Sequence, residues 1–331
     1  MTLRMLTVTF LVLVSWAANA EPVTIDTFVR AETDRTLRGQ AEQIGFGTFL
    51  HFRQLAPLDN QPVIRQNQDT LYSTAIIDLS SPVTVTLPDT GGRYMSLHVV
   101  NQDHYMFVLT EPGDHVLSEE IVGTRYAGLN VRTFMDPSDP EDIVAANVAQ
   151  DGLRITGGGK GPYEAPDWDL DQLRTARQAL NELSKLGFDT TYAFGMPDQT
   201  KPIDHLVGAA VGWGGLPRES AYYEIASVSD TSGTPHAVTV EDAPVDAFWS
   251  ITVYNAEGYI GKNKLGVYSL NNVTAKPNED GSHTIHFGGC EDGRVNCIPI
   301  MEGWNYTARM YEPREEILNG DWVFPTPEPV E

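Results

Sequence analysis

From Leu71 onward, the apolar residues of this chain fall at every second position in short runs, first to Phe134 and again from Tyr222 to Tyr311. A period of two puts successive side chains on opposite faces of a strand, so each run can bury one face of a sheet. The first group predicts strands at Leu71–Leu79, Val83–Leu87, Arg93–Val100, His104–Leu109, Gly113–Leu117 and Tyr126–Phe134. Turn-forming clusters separate them: Ser80-Ser81-Pro82, Pro88 to Gly92, and Glu111-Pro112-Gly113. The second group predicts strands at Tyr222–Val228, His236–Val240, Phe248–Tyr254, Tyr268–Leu270, Thr284–Phe287 and Asn305–Tyr311, with Asn278 to Ser282 as a hairpin turn. Short strands at this spacing point to an antiparallel sandwich or jelly roll.

Helical periodicity fills the remainder. Ile25, Phe28, Val29, Leu37, Ala41 and Ile44 recur at three- and four-residue spacings, which predicts a helix from near Thr24 to Gly45 or Gly47. Further helices are expected at Glu141–Asp151, at Leu170–Leu186 with Leu173, Ala176, Leu180, Leu183 and Leu186 on one face, and at Ile203–Val211. Gly157 to Pro162 reads as a flexible break. It lacks the Gly-Lys-Ser/Thr ending of a phosphate cradle. The expected organisation is a leader at 1–20, an N-terminal helical segment at 21–58, a first β module at 59–156, the Gly-rich break and helical connector at 157–216, and a second β module at 217–331.

The first twenty residues have the form of a secretory signal. Arg4 is followed by an apolar core from Met5 to Ala17, and Ala18-Asn19-Ala20 is a small-residue cleavage site that would leave Glu21 first. A periplasmic or secreted protein without membrane insertion is expected. The net charge of −23, or −24 without Arg4, disfavours nucleic acid and anionic lipid as partners. Cys290 and Cys297 flank a Gly-containing loop and, in an oxidising compartment, read as one disulfide contributing roughly 2.5 kcal/mol. A redox pair or half a metal site are the alternatives.

Arg65-Gln66-Asn67-Gln68-Asp69-Thr70-Leu71-Tyr72-Ser73 crowds a cation, amides, a carboxylate and a phenol ahead of the first long strand. By this stretch the chain resembles a bacterial pair of modules, domain of unknown function 1254 followed by domain of unknown function 1214. Phe28 to Asp34, Gly92 to Ser96, Asn101 to Tyr105, Val245 to Asn255, Gly303 to Tyr311 and Trp322 to Pro325 agree with that resemblance. It implies two jelly-roll-like antiparallel β-sandwich modules in a mainly β protein, with helical segments around them. It implies no particular reaction.

Candidate chemistry centres on the same stretch. Arg65, Asn67 and Asp69 share parity, so an extended backbone would present them together and set Tyr72 opposite. Asp69 is a candidate general acid or base, with Arg65 holding an anionic group of the substrate. The competing reading is a buried Arg65–Asp69 ion pair. Arg30 and Asp34 can pair at i, i+4 on a solvated helix face. Among His51, Arg53, His98 and His104, His104 is the candidate proton shuttle. The usual His-x-His metal pattern is missing, and no metal or cofactor is expected. Trp249, Tyr254, Trp304, Tyr306 and Tyr311 are either core residues or a ligand platform, and Arg309 stands between two tyrosines as a further anion holder. Asn67, Tyr72, Trp249, Tyr254 and Arg309 complete the candidate ligand set. The chain has no Gly-x-Ser-x-Gly elbow and no His-Glu-x-x-His. The expectation is a hydrolase or lyase acting on a polar small molecule or glycan between the modules. The alternatives are a non-catalytic saccharide- or envelope-binding protein, or a structural envelope protein. The oligomeric state is left open.

Overall fold

The computed structural model describes residues 20–61, 63–226, 228 and 230–330. The expected leader therefore lies, but for Ala20, outside the described residues. Eight strands build the first module: β1 (Leu50–His51), β2 (Thr70–Asp78), β3 (Val83–Leu87), β4 (Met95–Asn101), β5 (Met106–Leu109), β6 (Gly113–Leu117), β7 (Tyr126–Phe134) and β8 (Arg154–Gly157). They form a five-stranded sheet in the order β1-β2-β7-β4-β5 and a three-stranded sheet in the order β6-β3-β8. The odd-numbered residues of the long strands, among them Ala75, Ile77, Leu97, Val99, Leu129 and Val131, meet Val83, Val85 and Leu117 in a dry core between the sheets. Alternation in the sequence is the imprint of this layer.

Eight more strands build the second module: β9 (Ala221–Ala226), β10 (His236–Val240), β11 (Trp249–Tyr254), β12 (Ser269–Asn271), β13 (His283–Phe287), β14 (Cys297–Ile298), β15 (Asn305–Tyr311) and β16 (Glu328–Pro329). Their sheets, β12-β11-β15-β9 and β14-β13-β10-β16, sandwich Trp249, Ile251, Val253, Tyr306, Ala308 and Met310 against Val238, Ile285 and Phe287. Both modules are sandwiches of open sheets, mainly β as expected. Cys290 and Cys297 form a disulfide with a Cα–Cα distance of 5.6 Å.

The helices pack outside these layers. Helix α1 (Phe28–Ile44) lies over the far end of the five-stranded sheet, where Leu37 meets Ile76 and Tyr126. Gly128 on β7 permits that approach, because a Cβ there would come within 2.8 Å of Leu37 Cδ2. The short α2 (Glu119–Val122) and α3 (Pro140–Asp151) belong to the first module, and α4 (Leu170–Ser184) and α5 (Pro202–Val211) form the connector. Helix α6 (Glu315–Leu318) follows β15.

Several local expectations are corrected. Helix α1 opens at Phe28 and not near Thr24, because Thr24 N–H bonds Thr27 Oγ1 at 2.8 Å and ties those residues into a turn. The face of α1 expected to be solvated is buried: Asp34 accepts from Gln102 Nε2 and Tyr163 OH at 2.8 Å and from Trp168 Nε1 at 3.0 Å. Arg30 bonds Asp103 and not Asp34. Helix α4 stops at Ser184, which leaves Leu186 84% exposed. Strand β5 starts at Met106 because the Asn101 side chain accepts from the N–H groups of Asp103 and Tyr105, winding His104 to φ 61° in a tight turn. The glycine run is held close and not loose. Gly157, at the end of β8, pairs with Val83 of β3 where a Cβ would strike Pro82 O at 2.4 Å, and Gly159 N–H bonds Asp78 O at 2.8 Å.

Candidate functional site

The even-numbered face of the five-stranded sheet changes character along its strands. At the α1 end it carries Ile76, Gly128 and Val100. Toward the other end the register lines up Tyr72, Arg132 and Ser96 in one row and Thr74, Asn130 and His98 in the next. The second module turns a similar face toward it. Tyr223, Arg309, Ser250 and Asn271 form one row, and Ile225, Thr307, Thr252 and Ser269 the next. Two largely polar sheet faces are thus buried against each other, and the stretch before β2 lies between them.

That stretch is a clasp. Arg65 has φ 52°, so the chain from Arg65 to Asp69 bends and is not extended, and the parity argument does not apply to it. Arg65, Asn67 and Asp69 nevertheless all reach the second module. Arg65 Nη1 donates to Asn305 Oδ1 at 2.9 Å and Thr307 Oγ1 at 3.1 Å. Asn67 Nδ2 donates to Tyr311 OH at 2.7 Å, and Asn67 Oδ1 accepts from Asp69 N–H. Asp69 Oδ1 accepts from Ser269 Oγ and Asn271 Nδ2, both at 3.2 Å. In return Tyr254 OH donates to Gln66 O at 2.9 Å. Arg309 Nη2 donates to Arg65 O at 2.8 Å and to Tyr254 OH at 2.7 Å, and its Nη1 to Thr252 Oγ1 at 3.0 Å.

Beside the clasp, a cavity of about 1050 Å³ opens between the modules. Arg65, Asn67, Tyr72 and Arg309 line it, so four of the expected site residues come together. Tyr254 stands directly behind, with the Arg65 and Arg309 guanidinium carbons 5.6 and 5.9 Å from its ring centre. Phe52, Leu55, Val63 and Ile225 supply apolar wall, and Tyr223 exposes 40% of its surface there. Among the described residues, no aspartate or glutamate lines this cavity. The contrast lies on the other side of the interface, where a cavity of about 600 Å³ is lined by Asp89, Glu111, Asp142, Asp246 and Glu312 around Arg93.

The remaining expected residues lie elsewhere. Asp69 is 1% exposed and is not in the cavity wall, and its carboxylate has no ion pair with Arg65. Burial raises its pKa, against the pull of Arg309 and of the hydrogen bonds from Asn271 and Ser269. Trp249, 3% exposed, is core of the second sandwich against His283 and Phe324, because odd-numbered residues of β11 face inward; Trp304 and Tyr306 are core too. His104 is fully buried beside the connector, among Phe194, His205 and Trp213, and its Nε2 accepts from Gly214 N–H at 2.9 Å. Burial, with His205 nearby, lowers its pKa to about 3. It does not share the cavity.

Two residues of the cavity wall and one behind it were passed over or not singled out in the sequence. His51 lines it, with Nδ1 2.8 Å from Ser73 Oγ; burial and then Arg53 lower its pKa. Tyr223 is the second. The third, Arg132, is 8% exposed and is not in the wall itself; its guanidinium carbon lies 5.4 Å from the ring centre of the wall residue Tyr72. Its Nη1 has no hydrogen-bond partner, and among the described residues no carboxylate forms an ion pair with it. A cation inside an otherwise alternating strand, Tyr126–Phe134, was the available signal, as Arg309 was in β15.

Residues 46–120 match the family model "Protein of unknown function (DUF1254)", and residues 226–315 match "Protein of unknown function (DUF1214)". The chain carries both modules of this two-module family. The cavity lies between them, with His51 to Thr74 from the DUF1254 part and Thr307 and Arg309 from the DUF1214 part. The fold is similar to the crystal structure of the VPA0106 protein from Vibrio parahaemolyticus, with a TM-score of 0.70 and 20% identity over 93% of this chain and 98% of that one. It is also similar to an uncharacterized protein from Burkholderia cenocepacia, with a TM-score of 0.50 and 17% identity over 92% and 88% of the two chains. These likenesses concern the fold alone. No curated protein matches the chain.

Proposed function

We propose that this two-module protein is exported and takes up a small molecule in the cavity between its modules. The observation that carries the reading is the pairing of two buried, polar sheet faces around a cavity of about 1050 Å³ that Arg53, Arg65 and Arg309 line and, among the described residues, no carboxylate does. Sandwich modules bury their apolar faces inward, so a polar layer between them is not needed for packing, and concave sites between domains are where ligands bind. Export rests on Arg4, the apolar run to Ala17 and Ala18-Asn19-Ala20, and the Cys290–Cys297 disulfide is consistent with it. An exported protein that begins at Glu21 by intact mass would bear this out.

A catalytic form of the reading, as hydrolase or lyase, is favoured by His51. Its ring is in the cavity wall, and burial holds it toward the neutral form that a general base needs. Asp69 and His104 do not serve this chemistry, since neither lines the cavity. The test is native mass spectrometry after incubation with a metabolite extract. Wild-type protein should retain a small molecule of which Ile225→Trp, which narrows the cavity at its apolar wall, retains less. Equal retention by both would contradict the site. With the retained compound as substrate, His51→Gln should abolish turnover and preserve retention if the protein is an enzyme.

A further inference from the structure

Three arginines, Arg65, Arg132 and Arg309, stand in the layer between the modules, and the buried Asp69 acts on Arg309. In a chain with 45 acidic residues and 22 Lys and Arg, that local excess of positive charge runs against the whole. Buried guanidinium groups are normally paired or fully hydrogen-bonded, because an isolated charge is costly to remove from water. Arg65 and Arg309 use several of their N–H groups in the clasp. Arg132 does not. Its surroundings are the rings of Tyr72, Tyr94, Tyr223 and Tyr311, and Nη1 is unmatched. Tyr72 and Tyr223 are themselves cavity wall, and Asn130, two residues away on the same face of β7, is too.

We propose that the cavity selects molecules carrying one carboxylate on an apolar body, and that Arg132 anchors the carboxylate. This rests on the reading of the cavity as a small-molecule site. A planar guanidinium with unspent N–H groups matches a carboxylate in two parallel bonds. Arg132 is not itself in the cavity wall, so the carboxylate reaches it only when the Tyr72 ring, which is wall and lies over the guanidinium, turns aside; the Tyr223 phenol offers a further donor from the opposite module. The apolar body lies along Phe52, Leu55, Val63 and Ile225.

The test compares 4-phenylbutyrate with 4-phenylbutan-1-ol by calorimetric titration on the full chain. The wild type should bind the acid at least about tenfold more tightly than the alcohol. Arg132→Met should bring the ratio close to one while leaving alcohol binding in place, and Arg132→Lys should keep part of the preference. The thermal midpoint of Arg132→Met should be unchanged or higher, because a buried cation without a partner is removed; a guanidinium with a purely structural role would give a clear drop instead. Equal binding of acid and alcohol by the wild type, or an acid preference that survives Arg132→Met, overturns the carboxylate assignment. In either case alcohol binding that Ile225→Trp weakens leaves the cavity standing as a site. Binding of both compounds that Ile225→Trp does not affect overturns the cavity reading as well.

Discussion

The side chain of Arg309 donates from Nη2 to the main-chain oxygen of Arg65, 244 residues away, at 2.8 Å. One cation from the second module thus holds the bend of the first-module stretch by which the family is recognised. Arg309 is 4% exposed, and the same guanidinium also bonds Tyr254 OH and Thr252 Oγ1. Arg309→Met would strip three buried or half-buried acceptors of this donor and remove the cation that acts on Asp69. The expected loss is about 3 kcal/mol in urea unfolding. A loss below about 0.5 kcal/mol, the range of ordinary surface substitutions, would show that the clasp does not hold the modules.

Asp69 gives a pH signature. Its pKa is raised mainly by burial, so the folded state binds its proton more tightly than the unfolded chain does. The corresponding stability is present at low pH and is lost as pH rises through the folded pKa. Asp69→Asn, which keeps the shape and removes the titration, should therefore compare better with wild type at pH 7 than at pH 4. A difference that is the same at both pH values would mean that the carboxylate is not held in this environment.

The buried histidines act in the opposite direction. His98 and His104 are fully buried, and burial holds His98 well below the ordinary value of 6.5 and His104 at about 3. The unfolded chain takes up protons that the folded state refuses, so stability falls as pH drops below 6.5 toward the folded values. Each such group contributes a slope of up to about 1.4 kcal/mol per pH unit. Thermal unfolding between pH 7 and pH 4 should show a falling midpoint, and His104→Gln should flatten part of that fall. An unchanged slope in the variant would place the acid sensitivity elsewhere.

The long strands were legible because each buries one apolar face in its own sandwich. Ala75, Ile77, Leu129 and Val131 announce β2 and β7 by period alone. That period says nothing of the opposite face, where Thr70, Thr74, Ser96 and His98 look like solvent positions and are buried at the module interface. Register was the second missing quantity. Tyr72 faces Arg132 because β2 and β7 pair antiparallel from Thr70↔Phe134, which no local pattern encodes. Strands of two residues, such as β1 and β14, carry no period at all. The parity of Arg65, Asn67 and Asp69 misled for a backbone reason, the positive φ at Arg65. The three do converge, but on the second module, and Asp69 is sealed there while Arg65 and Asn67 reach the cavity.

The proposed ligand site is the space between the modules, with Arg132 at its anion end. The most direct measurement is a crystal structure of the wild-type protein after incubation with 4-phenylbutyrate. The account predicts an ordered molecule between Tyr72 and Tyr223, its carboxylate within hydrogen-bond distance of Arg132 and its ring against Ile225. A molecule bound elsewhere, with Tyr72 still stacked on Arg132, would contradict it.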